Sequence, residues 1–211
     1  MFEILIGSAA VQVPPKPELV LVPSTEFITG TALTTLVGLN SQPSPGTLMA
    51  WGDTTPWVIL RDTQVGKVFA IPQKPLRYAT AFNSLVNCGA HYGKNVIIQG
   101  ATWQVHSFSG LSDTTSEWAL YMHGIAQMGA IQPGKKRFAS YTFDELGIGD
   151  TNTTNQGVNV YIREEYNQYQ YYTRGNKNNL TSLYNQNKDN FFNSNGWRPI
   201  LELVSGTQPW V

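Results

Sequence analysis

The sequence predicts an α+β fold, rich in β-structure, with an extended β-rich arm in front of it. Three observations carry that expectation. Thr102 to Phe108 alternates, with Trp103, Val105 and Ser107 on one side and Thr102, Gln104, His106 and Phe108 on the other; this is the period of a strand. A few residues later Trp118, Tyr121, Met122 and Ile125 recur at helical spacing. The first 46 residues are aliphatic, sparsely charged and interrupted by Pro14, Pro15, Pro17 and Pro23, which excludes a long helix there.

Residues 1–46 are therefore read as short strands or extended segments, an arm that docks on the following domain or on a neighbouring protein, with Gln42 to Gly46 as the linker. The domain proper is 47–211. Trp57 to Leu60 and Val65 to Ile71 read as two strands around a hairpin loop at Asp62 to Gly66, and Pro72 and Pro75 stop the second. Thr80 is expected to cap a short helix that turns Phe82, Leu85 and Val86 inward and ends at Gly89. Val96 to Ile98 leads through Gly100 into the strand at 102–108. A polar loop follows, Ser109 to Ser116, where Asp113 or Thr115 caps the second helix and Gly124 and Gly129 offer stops. Thr142, Asp144 and Glu145 open a short helical turn around Phe143 and Leu146. Trp103, Trp118 and Trp197 are assigned to the core, because large aromatics mostly carry packing energy.

From 150 to 195 the composition shifts to Asn and Tyr. Val158 to Ile162 and Gln168 to Arg174 read as a strand pair, and Asn176 to Asn190 as an exposed loop. Tyr171 is expected on the face of Tyr169, with Tyr172 toward the core. Ile200 to Val204 is the closing strand.

Charged side chains make up 13% of the 211 residues and the formal net charge is zero, so no field steers nucleic acid or an anionic membrane toward this chain. The single cysteine, Cys88, excludes an intrachain disulfide and a cysteine-based zinc site; it reads as a small buried hydrophobe. The opening MFEILIGSAAVQV lacks a basic region, and its apolar run is short for a signal peptide or a membrane span.

Four segments, in order, resemble the C-type-lectin-like domain of bacteriophage structural proteins. They are KVFAIPQKPLRYATAFNSLVNCGAHYG, GATWQVHSFSGLSDTTSEW, the pair TFDELGIG and YYTRG, and SNGWRPILELV. They span about Trp57 to Val204. The resemblance implies two short helices on small antiparallel sheets, neighbouring terminal strands and a long irregular region on one side where partners are met. It also implies a virion protein assembled in the host cytoplasm, with other virion subunits as partners, homo-oligomerisation, and contact with a host surface glycan or receptor. The alternative is an architectural decoration or tail-assembly protein. The chain departs from the pattern at Gln104 and His106, where the family carries arginines. It departs again at Val160 to Glu165, in place of a tryptophan-cysteine-glutamine segment.

Tyr166, Tyr169 and Tyr184 are the expected contact residues, with Asn167, Asn178 and Asn179 beside them. Tyrosines give stiff amphipathic area and asparagines adaptable hydrogen bonds. No cofactor, metal or catalytic residue is expected. Gln132-Pro133-Gly134 lacks the acid of a calcium-dependent sugar loop. His91, His106 and His123 have no Ser in a G-x-S-x-G context. Asp144 with Glu145, and Glu164 with Glu165, are adjacent carboxylates, which on a strand point to opposite faces.

Overall fold

The computed structural model describes residues 19–62, 65–122, 141–188 and 191–210. It is mainly β-sheet with few helices. In chain order the elements are β1 (Leu19–Val22), α1 (Gly30–Leu36), β2 (Thr47–Leu48), β3 (Trp57–Asp62), β4 (Lys67–Pro72), β5 (Arg77–Tyr78), α2 (Phe82–Asn87), β6 (Lys94–Ile98) and β7 (Ala101–His106). A single π-helical turn at Trp118–Met122 follows, then β8 (Asn159–Asn167), β9 (Gln170–Asn176), β10 (Asn179–Asn187), β11 (Asn195–Trp197) and β12 (Ile200–Ser205). Among the described residues no helix is long and apolar enough to cross a membrane.

The strands form two six-stranded sheets, one in the order β1-β3-β4-β12-β7-β6 and one in the order β10-β9-β8-β11-β5-β2. The first is antiparallel throughout; in the second, β8 and β11 run parallel. The first sheet is buried on both faces at its centre. Trp57, Ile59, Ala70, Trp103, Val105 and Leu201 face one apolar cluster, and Val58, Leu60, Phe69, Ile71 and Ile200 face another. That explains why β3 is a continuous apolar run rather than an alternating one. The segment Trp197-Arg198-Pro199 carries the chain from the second sheet to the first. Trp197 is buried, and the Arg198 guanidinium donates to Gln73 O at 2.8 Å and Leu146 O at 2.5 Å. Burial pushes the Arg198 pKa down to about 9.

From Leu19 onward the arm docks on the domain that follows it, one of the two alternatives read from the sequence: β1 pairs with β3, and Phe27, Leu33, Val37 and Leu39 belong to the first apolar cluster. Other features differ from their sequence expectation. Within the arm stands a helix, α1, where extended chain was expected. Thr29 caps it, its hydroxyl accepting from Ala32 N at 3.2 Å, and Leu33 and Val37 are fully buried one turn apart. Packing crosses residue 46 as well, since the Arg77 guanidinium donates to Gly46 O at 2.6 Å and to Asn40 Oδ1 at 3.1 Å.

The N-cap of α2 is Ala81, without a side-chain bond. Thr80 is used otherwise, its hydroxyl donating to Pro45 O and its carbonyl accepting from Tyr161 Oη. At the π-helical turn the expected caps are displaced too. The Ser112 hydroxyl accepts from Thr114 N and Thr115 N, and the Ser116 hydroxyl from Ala119 N. Asp113 instead pairs with Arg174 at 2.7 Å. Ile125, Gly124, Gly129, His123 and Gln132 to Gly134 lie outside the described residues. Thr142 and Glu145 form a reciprocal cap, Thr142 N donating to the Glu145 carboxylate at 2.8 Å and Glu145 N to Thr142 Oγ1 at 3.2 Å. Leu146 is buried there, whereas Phe143 is exposed.

Candidate functional site

The Asn/Tyr-rich region folds as a three-stranded antiparallel meander, β8-β9-β10, and not as a strand pair with a loop. Within the expected loop of Asn176 to Asn190, residues 179–187 are a strand, since β9 supplies the pairing partner that offsets the low strand preference of Asn; residues 189–190 lie outside the described residues. The two connections of the meander are two-residue turns. At Gln168-Tyr169, Asn167 Oδ1 accepts from Tyr169 N at 2.8 Å, and Asn167 Nδ2 donates to Gln170 Oε1 at 3.1 Å. At Lys177-Asn178, Asn178 takes the left-handed conformation at φ 55°, which asparagine tolerates better than most residues. Asn178 N donates to Ile148 O at 2.9 Å and its Nδ2 to Asp150 Oδ1 at 2.9 Å. Asn179 Oδ1 accepts from Thr181 N, Thr181 Oγ1 and Ser182 N, which shapes a bulge in β10.

The six expected contact residues are thus divided. Tyr166, Asn167 and Tyr169 lie at the β8–β9 end of the meander, and Asn178 and Asn179 at the β9–β10 end. β9 has seven residues, so the ends are roughly 20 Å apart at ~3.3 Å per residue. Tyr184 stands between them on β10, its hydroxyl accepting from Asn176 Nδ2 at 3.0 Å. All three tyrosines are exposed, Tyr169 most at 67%. The three asparagines spend side-chain hydrogen bonds on building the turns that hold the tyrosines.

The faces of Tyr171 and Tyr172 are the reverse of the expectation. Tyr171 is buried, stacked on Phe82 at 4.6 Å between ring centroids, with Tyr161 tilted against it at 4.9 Å. Its hydroxyl lies 2.9 Å from Asn195 Nδ2 and 3.3 Å from Gln186 Oε1, and burial pushes its pKa up to about 12. Tyr172 is half-buried on the outer face, edge-on to Tyr166 at 5.4 Å, with Asn185 opposite it on β10. Tyr169 sits in the turn and has no strand face, so the alternation could not be counted from it. The site added by the structure is therefore the Tyr166–Tyr172 pair.

Two charged residues hold this region in place, Arg174 and Glu164, a role the sequence reading gave to neither. Arg174 is buried, donating to Gly110 O at 2.6 Å, Leu111 O at 3.1 Å and Thr181 O at 2.8 Å in addition to its ion pair with Asp113. Glu164 accepts from Gly110 N through both carboxylate oxygens, at 3.1 and 2.9 Å. Together they clamp the loop at 109–116 to the meander. The available signal was a lone arginine in an otherwise uncharged β9, Gln-Tyr-Tyr-Thr-Arg-Gly-Asn. Glu165 takes the other side, bonded to Tyr92 and Lys188, so Glu164 and Glu165 are engaged with different partners.

A depression of about 340 Å³ lies at the β9–β10 end, lined by Met122, Tyr141, Phe143, Asn178, Leu180 and Thr181 among others. Elsewhere, His91 Nδ1 lies 3.0 Å from Ser107 Oγ. Its Nε2 faces Arg163 O at 3.2 Å, so the ring proton belongs on Nε2 and Nδ1 accepts from the serine. Both side chains are buried, and burial lowers the His91 pKa to about 4. The pair ties the strand ends together. Tyr121 donates to Asp62 Oδ2 at 2.9 Å, and burial beside that carboxylate raises the phenol pKa. Among the described residues no group of three or more His, Cys, Asp or Glu is placed to hold a metal ion.

Comparison with family models, with curated proteins and with solved structures found no match in any of the three.

Proposed function

We propose that this chain is a structural protein of a bacteriophage particle, folded as a C-type-lectin-like domain. It is displayed on the particle surface and touches a host surface glycan or receptor protein with the β8–β9 end of its meander. The observation that carries the reading is the aromatic group there. Tyr166 and Tyr169 are exposed, Tyr172 braces Tyr166 edge-on, and Asn167 fixes the turn between them. Such a group offers a sugar ring or a protein loop flat, stiff area at low entropic cost. The ordered sequence segments and the sparse, balanced charge support the particle setting.

A purely architectural role is the second reading, favoured by Phe191 and Phe192, which are adjacent and both exposed. Exposed phenylalanines suit a protein neighbour better than a hydrated sugar.

The test mixes the protein separately with host cells and with particles lacking it, then sediments both. Wild-type protein should co-sediment with each. The Tyr166→Ala/Tyr169→Ala variant should lose cells and keep particles. Cell binding that survives the double substitution, or is absent from the wild type, rejects the recognition role.

A further inference from the structure

We propose that the outer edge of β10 is a self-association surface, on which a second copy of this chain lays its own β10 antiparallel to the first. This goes beyond the recognition reading and does not depend on it.

Among the described residues β10 closes the second sheet and has a neighbour, β9, on one side alone. It runs for nine residues, Asn-Leu-Thr-Ser-Leu-Tyr-Asn-Gln-Asn, without a charge, a proline or a glycine. Edge strands are ordinarily kept apart by charge, proline, shortness or covering, because their free backbone groups template another strand. The other edges follow that rule. β2 has two residues, β1 has four and stops at Pro23, and β6 begins at Lys94.

The bulge in β10 protects its first part. Leu180 O accepts from Trp118 Nε1 at 2.8 Å and Thr181 O from Arg174 Nη1 at 2.8 Å, which turns that stretch inward. From Leu183 on the ladder with β9 is regular. Lys188 N donates to Tyr169 O at 2.9 Å, so the register makes Gln186/Tyr171 and Tyr184/Thr173 the pairs that exchange bonds. Leu183 and Asn185, between them, direct their N–H and C=O away from β9.

A copy of the same strand fits that edge. An axis beside Tyr184 sets Leu183 opposite Asn185 of the second copy, twice over, and every residue so placed has outward backbone groups. Tyr184 then meets its own counterpart at the close, non-hydrogen-bonded spacing where cross-strand aromatic pairs stabilise. Identical antiparallel strands bring like charges near one another, and β10 has none to repel. Tyr184 and Leu183 are 40% and 39% exposed, so both have surface left to cover. The two β8–β9 turns point opposite ways along the paired strands, so the pairing and the recognition of one flat surface are separable properties.

Sedimentation velocity of the full chain over a concentration series tests the pairing. Wild-type protein should move reversibly from monomer to dimer below about 100 µM. Asn185→Pro removes an outward donor without touching a bond to β9, and Tyr184→Lys sets two ammonium groups face to face. Each should weaken the dimer at least about tenfold with an unchanged far-UV dichroism spectrum. If the proline variant misfolds, the lysine variant decides. A monomeric wild type, or a dimer that survives Tyr184→Lys, overturns the proposal; the first result would leave a foreign strand as the occupant of this edge.

Discussion

His91 is fully buried with both ring nitrogens engaged, Nδ1 by Ser107 and Nε2 by the Arg163 carbonyl. Its pKa is about 4 in the fold against 6.5 in the open chain, and the leading cause is burial. The unfolded chain therefore binds the extra proton first as pH falls. The contribution of neutral His91 to stability is complete above pH 6.5 and is lost progressively between 6.5 and 4. Its full size is on the order of 3 kcal/mol. Urea midpoints measured at intervals across that window should fall with pH for the wild type and fall less for His91→Gln. Parallel curves for the two proteins would sink the assignment. At this scale the sequence was readable where bulk decided and unreadable where partners decided. Trp103, Trp118 and Trp197 are all buried, as large aromatics tend to be. Nothing in a linear string places the carbonyl of residue 163 against the ring of residue 91. Tyr171 and Tyr172 are neighbours of identical chemistry, so only the phase of the strand separates them, and a turn residue cannot supply that phase.

Between elements, Gly110 packs the loop at 109–116 closely against β8. A Cβ there would lie 2.5 Å from Ile162 Cγ2 and 2.8 Å from Cδ1 on β8. The loop has no room to retreat, since Glu164 holds Gly110 N and Arg174 holds its carbonyl. Gly110→Ala should cost about 1–3 kcal/mol by overpacking. Ile162→Ala makes the space, so the double variant should be more stable than the sum of the single losses by about 1 kcal/mol or more in a denaturant-melt cycle. Additive losses would mean that the glycine matters for its backbone alone. The elements most legible in the sequence were those with a clear period or a hairpin signal: β3, β4, β7 and β12. β10 was not, because an edge strand exposed along most of its length has no apolar face and hence no alternation to read. The helix α1 was hidden by its three threonines, poor helix formers, although the Thr29 cap and the Leu33–Val37 spacing were in view.

For the whole molecule, the two apolar clusters lie on opposite faces of the first sheet, and β12 serves both. Ile200 packs with Val58, Phe69 and Ile71, while its neighbour Leu201 packs with Ile59, Ala70 and Trp103. The second sheet serves both as well, Val160 entering one cluster and Tyr161 the other. Neither core can open without unpairing a strand that the other needs, so the chain should unfold in one step. Ile200→Ala and Leu201→Ala should each cost about 2–5 kcal/mol, and each should lower the same transition. Far-UV dichroism reads the sheets. Tryptophan fluorescence reads mainly one cluster, which holds Trp57, Trp103 and Trp197, whereas Trp118 belongs to the other. Coincident melts by both probes, in the wild type and in both variants, are the expected result. Two separated transitions, with each substitution moving only its own, would show that the faces of the sheet fold independently, and Trp197-Arg198-Pro199 would then be a tether between them.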